Sequence, residues 1–435
     1  MTIKAREQPV DSERQRVSVA TADAALPRPV LLLCAIACGL AVAGITYAQP
    51  MLDMIADEFR IDHASAGVIV TVAQVGYALG LIFVVPLGDL LNRRRLILGQ
   101  SVLAALALLA VALAPSPTVL LAGMAGVGSL AVVIQVIVAY AAIRAPPAER
   151  GRVVGLVTSG VVGGILLART GTGMLADLAG WRTVYMASAT ATLIVAALLF
   201  CALPREERQH KSTPYAGLVS SLLHLIKSES ILRDRAVLAL LVFAAYTSLV
   251  TPLVLPLSAP PHSLSHAAIG LFGLSGLAGM LGATIAGQRS DRGDGRRVTA
   301  QSLSIMLAAW LPIAFLPVSF WSLVLGILAM DFGLQSVHVS NQSVIYRLRP
   351  EAQSRIAAAY MLFYSIGCGS GAVASTFTYA RAGWLGVCLL GATFSTCAIA
   401  YWVMIRPASA DRSPDPSATM SVLDRRARKR YFRAS

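Results

Sequence analysis

The stretch GDLLNRRR, Gly88–Arg95, separates two long apolar runs. Before it stands AGVIVTVAQVGYALGLIFVVPL (66–87), and after it LILGQSVLAALALLAVALA (96–114). A helix rises about 1.5 Å per residue, so about 20 apolar residues cross a hydrocarbon core about 30 Å thick. Each run is long enough for that. An aspartate and three consecutive arginines in so short a gap mark a turn at a membrane surface, and that reading extends to the whole chain.

Working outward, the composition agrees. The chain has 435 residues, 56% hydrophobic and 13% charged, where a soluble domain carries about 25% charged residues. Its mean hydropathy is +0.68. The apolar pattern predicts twelve spans, near 30–52, 65–87, 96–114, 119–142, 153–177, 182–203, 236–257, 267–288, 298–317, 320–345, 356–378 and 384–405. PSP (Pro115–Pro117) reads as a sharp stop, because proline cannot continue a helix. Ser65 and Ser265 stand where N-caps of spans 2 and 8 are expected.

The net charge of +14 is placed by topology. With the N-terminus inside, only Arg60, Arg182 and Arg381 fall in outer connections, and only Arg169 lies well inside a span. The rest of the 36 Lys and Arg lie in the tails and the inner connections. That asymmetry is the positive-inside bias, so both termini are expected in the cytoplasm. The basic surface then suits anionic lipid, and no nucleic-acid partner is expected. The six cysteines, Cys34, Cys38, Cys201, Cys368, Cys388 and Cys397, sit in apolar runs without a CxxC pair. They read as packing residues; no metal or cofactor is expected.

The expected organisation follows. Residues 1–28, polar and lacking the features of a signal peptide, form a disordered cytoplasmic tail. Residues 29–203 form one six-helix bundle and 236–405 a second. The linker 204–235 contains an amphipathic helix, with Leu218, Leu222, Leu225 and Ile226 on one face, which suits a position on the inner leaflet. Residues 406–435 form a basic tail ending RRARKRYFRAS.

The opening stretch has a counterpart after span 8, GQRSDRGDGRR (Gly287–Arg297). Asp89 and Asp291 occupy corresponding places in two halves of the same orientation, and such repeats mark transporters. With this repeat the sequence resembles the major facilitator superfamily, over essentially all of residues 30–405. That family's inner motif reads G-x-x-x-D-R-x-G-R-R. In the first copy Asp89, Arg93 and Arg94 match, while Val85, Leu90 and Asn92 depart from it. The second copy matches at Gly287, Asp291 and Arg292, then adds one residue before Gly295, Arg296 and Arg297. YAQPML (Tyr47–Leu52), GGILLARTGTGMLADLAGWR (Gly163–Arg182) and RPEAQSRIAAAYM (Arg349–Met361) resemble the bacterial efflux branch of drug and sugar exporters.

The resemblance implies an all-α membrane protein with twelve transmembrane helices in two pseudo-symmetric six-helix bundles, in the bacterial inner membrane. It implies a monomer with a small-molecule substrate and protons as partners, and Asp89 with its arginines as a cytoplasmic gate latch. The span 4 arginine that this branch ties to proton coupling is replaced by Ala122.

Ionisable groups inside the spans are the candidates for chemistry, because a charge at a helix centre costs about 2.5–3.5 kcal/mol. They are Asp331 and His338 in span 10 and Arg169 in span 5. Gln335, His338 and Gln342 follow Asp331 at helical spacing and form a polar stripe. Asp331 is expected to titrate a proton or bind a cation, with His338 as a relay. The alternative is a structural ion pair of Asp331 with Arg169, or two separate helix anchors. Gln135, Tyr47, Gln74, Tyr77 and Gln49 are candidates to line a substrate path or to join helices. Pro50, Pro252 and Pro256 are expected to bend spans 1 and 7. No catalytic motif of a hydrolase, metalloprotease or nucleotide-binding enzyme occurs, so an enzyme is not expected. The functional expectation is export of a small organic molecule (drug-like compound, sugar or metabolite) by proton antiport, with proton-coupled uptake as the alternative.

Overall fold

The computed structural model describes residues 26–62, 64–146, 149–204, 215–346, 348 and 353–405, and among them there is no β-strand. The two tails, 1–25 and 406–435, and residues 205–214 of the linker lie outside the described residues. Asp89 and Asp291 are described by their backbones alone.

In the first half, span 1 is Arg28–Thr46, then a 3-10 turn Gln49–Met51 and a short helix Leu52–Phe59. Span 2 is Gly67–Phe83 and span 3 Arg93–Ala112. Span 4 is Pro117–Leu130, continued by Val133–Arg144. Span 5 is Arg150–Ala179 and span 6 Trp181–Ala202. After the linker helix Tyr215–Ser228, span 7 is Ser230–Val250 with a continuation Val254–Ser258. Span 8 has three pieces: His266–Gly270, a 3-10 stretch Leu271–Ser275, and Gly276–Asp291. Span 9 is Gly295–Ala314 and span 10 Phe320–Ile345. Spans 11 and 12 form one run, Gln353–Met404, broken at Gly383 by a φ of 60° and a ψ of −160°. Glycine tolerates that positive φ.

Among the described residues nine segments are long and apolar enough to cross a membrane. One of them, Arg355–Met404, contains the Gly383 break and holds two spans. Gly67–Phe83 is apolar but shorter, and Gly295–Ala314 carries Arg296 and Arg297 in its first turn. Twelve spans are consistent with this set. The outside of the bundle is apolar, as a lipid-facing surface must be: Leu178 and Trp321 are each 76% exposed.

Pro50 lies in the 3-10 turn of span 1, and Pro252 in the gap between the two pieces of span 7. A proline lacks the N–H of the helical ladder, so both bends have a cause in the sequence. Ser265 caps span 8, accepting from Ala268 N at 3.2 Å. The cap expected from Ser65 does not form. Residues 64–66 are already wound into a turn, and Val68 N bonds to the Ser65 carbonyl oxygen at 2.9 Å.

Span 7 starts at Ser230, ahead of the expected 236, because its polar first turns find partners. Arg235 stacks on Trp402 at 4.7 Å and donates to Asn341 at 3.3 Å, while Asp234 accepts from the Tyr401 hydroxyl at 3.2 Å. The linker helix packs its apolar face on the bundle. Leu222 and Leu225 are buried in the core, Tyr215 donates to the Phe83 carbonyl at 2.7 Å, and Arg355 of span 11 donates to Ser221 at 3.1 Å.

The bundle has two ends. The basic end carries the arginine-rich connections after spans 2, 4, 6, 8 and 10. The opposite end, called here the far end, carries the others. Arg182 pins the far end of the first half, donating to the Ala112 and Ala114 carbonyls at 2.7 and 3.0 Å and pairing with Glu58 at 2.6 Å. The halves meet along two seams, spans 2 with 11 and spans 5 with 8.

Candidate functional site

Span 8 reaches the middle of the bundle through glycines. A side chain on Gly273 would lie 2.6 Å from the Arg169 Cβ, and one on Gly270 would lie 2.5 Å from the Arg169 carbonyl oxygen. Their absence of a Cβ lets span 5 come close. Arg169 then lines a small, partly open cavity between the halves, with Gln49, Val254, Ile269, Phe272 and Ile327. The walls are apolar apart from Arg169 and Gln49. Among the described residues, neither Arg169 Nε nor Gln49 Oε1, both buried, has a hydrogen-bond partner.

Asp331 stands behind that wall. It is 4% exposed, and its carboxylate accepts from the Ser275 hydroxyl. The same hydroxyl also has the Phe272 carbonyl within reach, at 2.6 Å. Ser275 arrives there because the 3-10 stretch of span 8 ends on it. Tyr246 of span 7 joins the group: its hydroxyl interacts with both the Asp331 carboxylate and the Arg169 guanidinium. The guanidinium also lies 5.5 Å from the Tyr246 ring centroid. Among the described residues no ion pair within 4.0 Å joins Arg169 to Asp331; they attract through space. An unshared buried charge would be costly. Here each ion keeps a polar partner in Tyr246, and the opposite charge stands beyond it.

The rest of the span 10 stripe runs toward the basic end. Gln335 packs on Gly279, where an added Cβ would lie 2.9 Å from its Cγ. His338 lies two turns from Asp331 and does not touch it. Its Nδ1 is 3.0 Å from the Tyr360 hydroxyl and its Nε2 is 3.1 Å from Gln342 Nε2. The amide nitrogen can only donate, so Nε2 accepts and Nδ1 carries the proton given to Tyr360. Asn341 links Tyr360 on to Arg235. The ring also meets Phe243 edge-on at 5.3 Å. The relay expected of His338 therefore has no direct bond to Asp331 in this conformation.

Of the candidates in the first half, Gln135 borders open space. It donates to the Tyr77 hydroxyl at 3.4 Å and lines a small, partly open cavity at the basic end, with Leu81, Arg93, Leu222 and Arg355. Gln49 lines the Arg169 cavity, and the remaining two, Tyr47 and Gln74, are held in packing. Tyr47 donates to Ser188 of span 6 at 3.1 Å, and Gln74 accepts from Ser365 of span 11 at 3.2 Å. At the inner motif, Arg93 donates to the Gly88 carbonyl at 3.0 Å. Arg94 donates to the Phe200 carbonyl at 2.5 Å and stacks on the Phe200 ring at 5.1 Å. Gly287 faces Val339 with room for an ordinary contact, and Arg292 ends span 8.

Tyr246 and Ser275 were not candidates on sequence grounds. Tyr246 is one of 12 tyrosines in the chain, and Ser275 sits in the glycine run GLSGLAG. A hydroxyl in such a run gives no sign that it will meet an acid 56 residues later.

With two bundles, two seams and a cavity between them, the architecture is that of a transporter. The profile of the Major Facilitator Superfamily matches residues 31–330 and 252–433, and the chain belongs to that family. The transporter YgaY of Escherichia coli (strain K12) is 44% identical over 373 residues, covering 86% of this chain and 94% of its own. A relative in Pasteurella multocida (strain Pm70), named for sugar efflux, is 24% identical over 360 residues, covering 82% and 87%. The fold matches the inward-facing, occupied crystal structure of a bacterial homolog of the human lysosomal transporter Spinster. The TM-score is 0.74 at 16% identity, covering 89% of this chain and 98% of that one. The chain is a multi-pass membrane transporter of a small solute, not an enzyme.

Proposed function

We propose that the chain exports a small organic molecule in exchange for protons, by alternating access to the cavity at Arg169. The observation that carries the proposal is the arrangement of Arg169, which lines the cavity, with Tyr246 and Asp331 of the other half behind the cavity wall. A proton on Asp331 removes the negative charge that faces Arg169. The two protonation states then differ in what Tyr246 and Arg169 hold, and that difference is able to bias one conformation over another. The inward proton gradient supplies the energy, its electrical part worth about 2.3 kcal/mol per charge per 100 mV.

The substrate is amphipathic. The cavity offers aliphatic contacts, one aromatic ring (Phe272) and only two polar side chains, which suits a drug-like compound better than a sugar, whose many hydroxyls would go unpaired. The basic end faces the cytoplasm by the positive-inside rule, with both termini on that side. The protein works as a monomer in a bacterial inner membrane, its basic segments against anionic lipid.

The test is a pH-sensitive dye inside acid-loaded proteoliposomes, read as amphipathic compounds are added outside. Antiport raises the luminal pH on addition of a substrate. Symport lowers it, and would overturn the antiport reading.

A further inference from the structure

At the far end a histidine of one half lies between two carboxylates of the other. His266 is the first residue of span 8. Its Nδ1 is 2.8 Å from Asp177 Oδ1 on span 5. Its Nε2 is 3.0 and 3.2 Å from the two oxygens of Asp53, in the short helix that continues span 1. The backbone N–H groups of His266 and Ala267 donate to the Asp177 carboxylate as well, at 3.2 and 2.7 Å. The three side chains are largely shielded from solvent, at 17% exposure for His266, 13% for Asp53 and 27% for Asp177. The backbones are as close as they can be, because a side chain on Gly173 would overlap the His266 carbonyl oxygen.

The chemistry of the three groups sets a condition. An ionised carboxylate only accepts hydrogen bonds, and a neutral imidazole carries one N–H. A ring with a carboxylate at each nitrogen serves both only when both nitrogens are protonated. Among the described residues, Asp53 and Asp177 are the charged groups that act on His266.

We infer that His266, Asp53 and Asp177 form a proton-dependent latch that holds the far end closed. The inference rests on the alternating-access reading above. Asp53 and Asp177 move with the first half and His266 with the second, so these bonds exist only while the far end is shut. Opening separates the ring from both acids and leaves all three groups facing the medium on that side. A proton taken up from that medium restores the doubly protonated ring and draws the halves together. The latch therefore holds at low pH and is lost as pH rises and the ring gives up a proton. In an exporter whose outer medium is acidic, this resets the empty protein to face the cytoplasm.

The experiment uses the full chain in nanodiscs, with the exposed Cys201 and Cys397 replaced by serine. Fluorescent labels at Asp62→Cys and Val318→Cys report the far end, and labels at Leu91→Cys and Arg297→Cys report the basic end. In the parent protein the short far-end distance is expected to dominate in acid and to give way to a longer one as pH rises, with the basic-end pair moving the opposite way. His266→Ala is expected to lose the short-distance population at every pH. His266→Lys, with a cation that does not titrate in this range, is expected to keep it at every pH. A His266→Ala protein with the parent's pH profile overturns the latch, although reciprocal motion of the two ends would leave alternating access standing. If neither pair moves under any condition, alternating access itself fails, and the latch with it.

Discussion

The two seams between the halves are built differently. Spans 5 and 8 meet through ionisable groups: Asp177 and Asp53 hold His266 at the far end, and Arg169 lies beside the glycines of span 8. Their contact is concentrated in the first pieces of span 8, His266–Gly270 and Leu271–Ser275. Spans 2 and 11 meet through neutral groups. Thr71 donates to the Gly369 carbonyl at 2.8 Å, Thr376 to the Ala64 carbonyl at 3.1 Å, and Ser365 to the Gln74 carbonyl at 2.5 Å. One seam carries ionisable side chains, and the other is joined by hydroxyl-to-carbonyl bonds and close backbone packing. On the proposed mechanism, the first seam is the one that protons switch and the second the one that packing closes.

The largest expected effect breaks the neutral seam by size. A side chain at Gly67 would overlap the Ala372 carbonyl oxygen. Gly67→Leu should cost about 1–3 kcal/mol in the far-end-closed state, and substrate exchange in proteoliposomes should fall by about tenfold or more. Exchange at the parent rate would show that spans 2 and 11 are not tight at this point.

A smaller effect sharpens the charged seam. Tyr246→Phe keeps the ring beside Arg169 and removes the hydroxyl shared with Asp331. Without a hydroxyl beside the two charges, the number of protons moved per substrate should fall while protein yield and melting temperature stay close to the parent. Unchanged stoichiometry would remove Tyr246 from the coupling path.

Asp89→Ala tests the inner gate that the family resemblance implies. Conformational cycling should slow, measured as exchange rate, with substrate affinity in a single state unchanged. A protein that merely unfolds would make Asp89 a structural residue.

The smallest effect is Thr376→Val, which removes one neutral bond worth about 1 kcal/mol. It should lower the melting temperature slightly and leave the pH profile of far-end closure as in the parent. A shifted profile would mean that the two seams are not separable in this way.

The fold was legible in the sequence because the membrane imposes a length on apolar runs, and the turns between them carry charge of one sign. The bends at Pro50 and Pro252 were legible for the equally local reason that proline breaks the helical ladder. Arg169 and Asp331 stood out because a charge in a span is conspicuous. Their partners did not. Tyr246 and Ser275 are ordinary residues of apolar helices, and only the crossing of four spans gives them a role. Asp53 and His266 fall just outside the expected spans 1 and 8, and Asp177 is the last residue of expected span 5. Nothing local ties Asp53 to a residue 213 positions away. Tyr47 and Gln74 show the converse: both were polar enough to be candidates, and helix packing absorbs them.

The central claim is that Asp331 carries the transported proton. Its most direct test is Asp331→Asn in proteoliposomes, with luminal pH and substrate exchange measured on the same preparation. Asparagine keeps the size and a hydrogen bond to Ser275 but cannot titrate. The account predicts that substrate still exchanges across the membrane while the luminal pH no longer responds. Full proton movement in the Asp331→Asn protein would contradict it.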